Sequence, residues 1–170
     1  NSIAFDRLPI PFRAVATDME TGQPVILAEG DLATALRSSM SVPGIFAPLE
    51  VSRRILGDGG LVNNTPVDVA RAMGADRLIV VNIGTSLAPR DTLSTLTGVT
   101  TQMINILTEQ NVQQSLRTLT PHDVLIAPRL EGLTSADFNR AREFMDQGEV
   151  QAEAMVLRMQ DLQLSQADYA

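Results

Sequence analysis

The chain has 170 residues, 44% of them hydrophobic, and a net charge of −7 at pH 7. That is one domain's length with enough apolar material for a core. Its acidity argues against a nucleic-acid partner and against general attraction to anionic lipid. With no cysteine there is no disulfide framework and no thiolate metal site.

The absence of cysteine fits an oxidising compartment without requiring one. No apolar run is long enough to span a bilayer, and no signal-peptide pattern opens these residues. The opening Asn1-Ser2-Ile3-Ala4-Phe5 reads as the interior of a longer chain.

In chain order, Phe12 to Thr17 predicts a strand, Asp18 to Gly22 a turn, and Pro24 to Leu27 the returning strand of a hairpin. Asp31 predicts the cap of a short helix with Leu32, Ala35, Leu36 and Ser39 on one face. The helix is expected to stop at Val42-Pro43, since the residue before proline is pushed out of the α region. A rigid loop, Pro43 to Pro48, leads to a strand over Val51 to Leu56.

Next comes Leu56-Gly57-Asp58-Gly59-Gly60-Leu61-Val62-Asn63-Asn64-Thr65-Pro66. Gly57, Gly59 and Gly60 predict positive φ and close backbone approach. They place Asp58 on a tight strand-to-helix turn, at a sheet edge where open α/β folds put their sites. The alternative is a plain turn whose aspartate bonds its own backbone.

Thr65 as cap, Pro66 at the first helical position and Asp68 near the end of the first turn predict a helix with Val67, Ala70 and Met73 inward, closed by Gly74. Leu78 to Ile83 reads as a strand buried on both faces, giving a parallel βαβ unit. Thr92 to Leu119 predicts a long amphipathic helix with Leu93, Leu96, Val99, Met103, Ile106 and Val112 on one stripe. Its other face is Thr, Ser, Asn and Gln, and reads as solvated, with partial cover as the alternative. Val124 to Ala127 predicts a late strand ended by Pro128. Thr134-Ser135 predicts the cap of a last helix with a seam of Phe138, Ala141, Met145, Gly148, Ala152, Met155, Met159 and Leu162. That seam faces the core or a second copy, a possible homodimer.

Other candidates are weaker. His122, the single histidine, reads as an exposed loop imidazole, and Ser38, Ser39 and Ser41 as helix-end hydroxyls bonded to local carbonyls. Gly57-x-Gly59 lacks the third glycine of a dinucleotide fingerprint. No metal-ligand cluster stands out, and no cofactor is implied. Arg53 and Arg54 form the densest positive spot, a candidate lipid head-group contact set against a plain solvated hairpin tip.

Asp58-Gly59-Gly60 with Leu61 to Pro66 resembles the aspartate motif of the patatin-like phospholipases, bacterial type. The upstream Ser38 to Pro48 resembles that family's helix leading into a Pro-x-x-Phe-x-Pro loop. Ala16-Thr17-Asp18 and Val81-Asn82-Ile83-Gly84 also read like bacterial members. More loosely, Ser135-Ala136-Asp137-Phe138 and Gly148-Glu149 resemble patatin domains of secreted two-part proteins that continue into an outer-membrane barrel.

The resemblance implies an α/β, three-layer patatin-like fold with a mostly parallel central sheet. It implies a lipid acyl hydrolase of the phospholipase A or lysophospholipase type, working through a Ser-Asp dyad. Asp58 matches the dyad's carboxylate. The nucleophile's Gly-x-Ser-x-Gly has no counterpart, because no serine here has glycine two before and two after. Residues 1–170 are therefore expected to be the C-terminal portion of one such domain, inactive alone and partnered by an N-terminal half that carries the serine. A secreted or outer-membrane-associated location is expected, a cytoplasmic one being the alternative. The competing reading is a non-enzymatic α/β module that binds lipid or phosphate, or an assembly surface.

Overall fold

Two strands joined by Asp18 to Gly22 form the expected hairpin in the computed structural model, which describes residues 3–84, 87, 90–130, 132–133, 137–163 and 165. The chain divides into two compact units, residues 1–75 with 85–118 and residues 76–84 with 119–170.

In the first unit, β1 (Ile3–Ala4) pairs with β4 (Glu29–Gly30). Between them lie β2 (Ala14–Asp18) and β3 (Pro24–Leu27), antiparallel. The Asp18 carboxylate accepts from the amides of Glu20 and Thr21, and Gly22 takes φ +68° to close the turn. Helix α1 (Leu32–Ser39) starts as predicted, with the Asp31 carboxylate accepting from the Thr34 amide at 2.8 Å. It ends at Met40, earlier than Val42-Pro43 alone would require. Phe5, Ala14 and Ala35 form the centre of a core completed by Leu8, Phe12, Leu27 and Leu32.

The predicted single strand over Val51 to Leu56 is instead two strands, β5 (Leu49–Val51) and β6 (Arg54–Asp58), paired antiparallel. The reversal is made by Ser52 at φ 51° and Arg53 at φ 65°. Positive φ at both central residues is the type I′ geometry, whose usual sequence is Asn-Gly. Nothing in Ser-Arg advertises it. The sheet order is β3-β2-β6-β5, so β2 and β6 are central, and all five residues of β2 are buried.

Helix α2 (Gly60–Asn63) follows β6 directly and was not foreseen. Helix α3 (Val67–Ala72) begins one residue later than predicted: Pro66 is its N-cap residue and no side chain caps it. Asp68 accepts instead from Asn63 Nδ2 at 2.8 Å. Val67 and Val69 are buried whereas Met73 is exposed, and Gly74 closes the helix at φ +93°. The last element of this unit, α4 (Leu96–Leu116), is capped by Thr95, whose hydroxyl accepts from the Gly98 amide.

In the second unit, β7 (Ile79–Val81) pairs in parallel with β8 (Val124–Ile126). The expected parallel partner of β7 was β6, but both hydrogen-bonding edges of β6 are already taken by β2 and β5. Strand β7 is covered on one face only: Leu78 and Val80 are buried, while Ile79 is 51% and Val81 58% exposed. Asp123 is buried and accepts from the amides of Leu78 and Thr120, tying β7 to the turn before β8. The predicted last helix is broken into α5 (Ala141–Ala154) and α6 (Val156–Met159), and none of its described side chains is fully buried. Met145 of the predicted seam is exposed, and the predicted cap at Thr134-Ser135 lies outside the described residues.

A left-handed conformation costs a non-glycine residue about 1–2 kcal/mol. Replacing Ser52-Arg53 by Asn-Gly is therefore expected to raise unfolding stability by about 1 kcal/mol or more. Denaturant titration reads this directly, and an unchanged midpoint would contradict the I′ assignment.

Candidate active site

The glycine-rich turn is built by close approach and not by unusual backbone angles. Gly57, Gly59 and Gly60 are absent from the positive-φ residues, and Gly59 is α-helical at φ −67°, ψ −24°. This corrects the expected positive φ. What Gly59 needs is space, because a Cβ there would fall on the Val15 carbonyl group of β2. At Gly60 a Cβ would lie 2.7 Å from Asn64 Oδ1 and 2.8 Å from Asp58 Oδ1. Bare glycine leaves room for the carboxylate to fold over the turn.

Asp58 is the last residue of β6. Its amide donates to Ser41 O at 3.0 Å, and its carbonyl accepts from the Thr17 hydroxyl at 2.6 Å. The Gly59 amide donates to Ser39 O at 3.3 Å. The Ser39 hydroxyl donates to Val15 O at 2.7 Å. β2, the C-terminal end of α1 and the segment after it therefore hold the Asp58 backbone from both sides. Asp58 Oδ1 accepts from the Gly60 amide at 2.6 Å, which leaves Oδ2 as the oxygen free of that contact.

Asp58 lines a cleft of about 390 Å³ whose walls include Val15, Leu36, Ser39, Met40, Gly59 and Asn63. Burial raises its pKa above the ordinary 3.8, and the Gly60 N–H pulls weakly the other way. A carboxylate whose charged form is disfavoured is a better proton acceptor than a solvated one. The arrangement suits a general base.

The other predicted candidates do not converge here. Arg54 opens β6, four residues or about 13 Å along the strand from Asp58, and Arg53 lies in the turn before it. Both are exposed, and Arg54 Nε is 4.0 Å from Asp18 Oδ2. His122 is exposed on a turn of the other unit. Ser38 and Ser41 bond local carbonyls as expected, whereas Ser39 reaches across to β2. Among the described residues no group of His, Asp or Glu could hold a metal ion.

Sequence reasoning missed two contributors. Thr17 was read as a strand residue within the family-like Ala16-Thr17-Asp18, with no contact to Asp58 foreseen, yet it fixes the Asp58 carbonyl. Asn111, on the face of α4 read as solvated, donates to Gly60 O and accepts from the Asn64 amide, both at 2.9 Å. Of the predicted stripe, Val112 is buried as expected, but Leu96 is 85% and Met103 60% exposed, while Thr108 of the polar face is buried.

Asp58 thus stands at a strand end, clasped by glycines beside a cleft, with its pKa raised. Residues 4–71 match the family model for patatin-like phospholipase. An uncharacterised NTE family protein of Mycobacterium tuberculosis is 41% identical over 86 residues, 51% of this chain and 24% of the relative. A second from the same organism is 36% identical over 84 residues, 49% of this chain and 14% of its own. Patatin-like phospholipase domain-containing protein 7 of Mus musculus is 38% identical over 77 residues, 44% of this chain and 6% of that protein. The matched stretch thus spans about a quarter or less of these relatives. The matched segment, which holds every residue lining the cleft, is similar to the patatin-like phospholipases.

Two substitutions separate the roles in this turn. Gly59→Ala forces a methyl group onto backbone and should cost about 3 kcal/mol or more. Gly57→Ala meets only the movable Met19 side chain and should cost well under that, as comparative unfolding would show. Asp58 carries its own signature. Its folded pKa lies above its unfolded one, so the fold binds more protons and loses stability as pH rises through the folded pKa. Asp58→Asn should therefore be more stable than wild type at neutral pH, with the gain vanishing below the ordinary aspartate range. A mutant that melts lower at pH 7 would overturn the burial argument.

Proposed function

We propose that this chain supplies the aspartate of a Ser-Asp acyl hydrolase acting on lipid esters, of the phospholipase A or lysophospholipase type. In this reading residues 1–170 are the later part of a three-layer catalytic domain with a mostly parallel sheet. The nucleophilic serine, on a Gly-x-Ser-x-Gly elbow, comes from residues outside this sequence. The chain alone is then inactive.

The observation that carries the reading is the Asp58 carboxylate, buried enough to have a raised pKa, in the segment matched by the patatin-like phospholipase model. Oδ1 is occupied by the Gly60 amide, so Oδ2 accepts the proton as the serine oxygen attacks the ester carbonyl. The C–O bond to the leaving alcohol breaks as that proton is handed on, giving an acyl-enzyme. Water then repeats the sequence, with Asp58 taking its proton and returning it to the serine. Apolar walls at Val15, Leu36 and Met40 suit an acyl chain, and its arrival would dry the site and strengthen the base further.

In the complete protein, Asp58→Asn keeps volume and the Gly60 contact but removes the basic oxygen. Ester turnover should fall by about two to four orders of magnitude, the usual worth of a general base, with binding of a non-hydrolysable lipid unchanged. Full turnover in a well-folded variant would end the assignment.

A further inference from the structure

The turn that carries Asp58 is not self-supporting. Helix α2 is four residues long, too short to be stable through its own hydrogen bonds. In an α-helix the Gly60 carbonyl would accept from the Asn64 amide, its partner four residues on. The Asn111 carboxamide takes the place of that bond: Nδ2 donates to Gly60 O at 2.9 Å and Oδ1 accepts from Asn64 N at 2.9 Å. Nδ2 also donates to Leu107 O of its own helix at 3.2 Å, which fixes the rotamer. Gly60 is the residue whose amide grips Asp58 Oδ1 at 2.6 Å. α4 thus reaches the carboxylate through one glycine.

We infer that Asn111 is a positioning residue for Asp58, holding the Gly60 amide where it orients the carboxylate toward the cleft. The inference rests on the proposed role of Asp58 as base. The geometry also explains why α4 turns a polar face inward. A carboxamide offers a donor and an acceptor side by side on one plane, and the gap in α2 has one of each to satisfy. Alanine offers neither. Aspartate keeps the size and the acceptor for Asn64 N but loses the donor to Gly60 O.

The test uses the complete protein, with ester turnover, melting temperature and amide hydrogen exchange measured on the same samples. Asn111→Ala should lower kcat by about tenfold to a hundredfold, the cost of a small misplacement of a catalytic group, with KM within about twofold. Exchange at the Gly60 and Asn64 amides should speed up. Asn111→Asp, the milder change should alanine fail to fold, should also lower kcat and free Gly60 more than Asn64. In an Asp58→Asn background, Asn111→Ala should cost no further kcat, since it acts through the lost base. A positioning role is refuted if Asp58→Asn is inactive while Asn111→Ala keeps full kcat, or if the two losses simply multiply. Full turnover in Asp58→Asn would instead refute the base assignment, and with it any catalytic purpose for Asn111.

Discussion

The site depends on one close approach, the backbone of Gly59 against the carbonyl group of Val15. β2 and β6 are adjacent central strands, and the chain must leave β6 without being pushed off β2. Only a residue without Cβ passes there. Once it does, the Asp58 amide and carbonyl are both engaged, by Ser41 and Thr17. The carboxylate then has little freedom except about its own side-chain torsions. Gly60 removes even part of that by placing its amide under Oδ1. A single aspartate becomes directional because its surroundings are backbone, which cannot rotate away.

The same economy governs α4. An amphipathic stripe usually marks the buried face of a helix. Yet the protein presents the polar side, because α2 exposes a carbonyl and an amide that need partners, and an unpaired backbone group away from water costs more than a lost apolar contact of similar size. The apolar stripe from Leu96 to Ile106 is left exposed by the described residues. The half-covered β7 is in the same condition, since parallel strands normally have both faces covered.

What could be read from the sequence was local. The Asp31 cap, the β2–β3 hairpin, the close of α3 at Gly74 and the place of Asp58 between a strand and a helix all rest on residues within a few positions of one another. The turn at Ser52-Arg53 was hidden because neither residue is chemically marked for positive φ. The reason for the glycines was misjudged for a related cause. Absence of a side chain serves both free torsion and close contact, and only the position of Val15 distinguishes them. Asn111 was beyond reach, since its partners lie 47 and 51 residues away and nothing about a helical asparagine names a distant glycine. The placement of Arg53 and Arg54 away from the cleft followed from the unforeseen hairpin, which turned a presumed approach to the site into its far end.

Holding a carboxylate partly out of water carries a cost that the fold must offset elsewhere, and the offset is visible in what surrounds it. The groups that fix Asp58 are hydrogen bonds to its backbone, which confer order without stabilising the charged side chain. Only the Gly60 amide favours the anion, and burial outweighs it. Had an arginine or a second backbone donor faced Oδ2, the carboxylate would be easier to bury, its pKa driven down instead of up. The same reasoning accounts for the positive charge lying elsewhere. Arg54 is at the other end of β6, and Arg13, which borders the cleft, is committed to Asp6 at 2.8 Å. The carboxylate keeps its raised pKa because, among the described residues, no cation is placed against it. The turn allows this while leaving no ambiguity about where the carboxylate points.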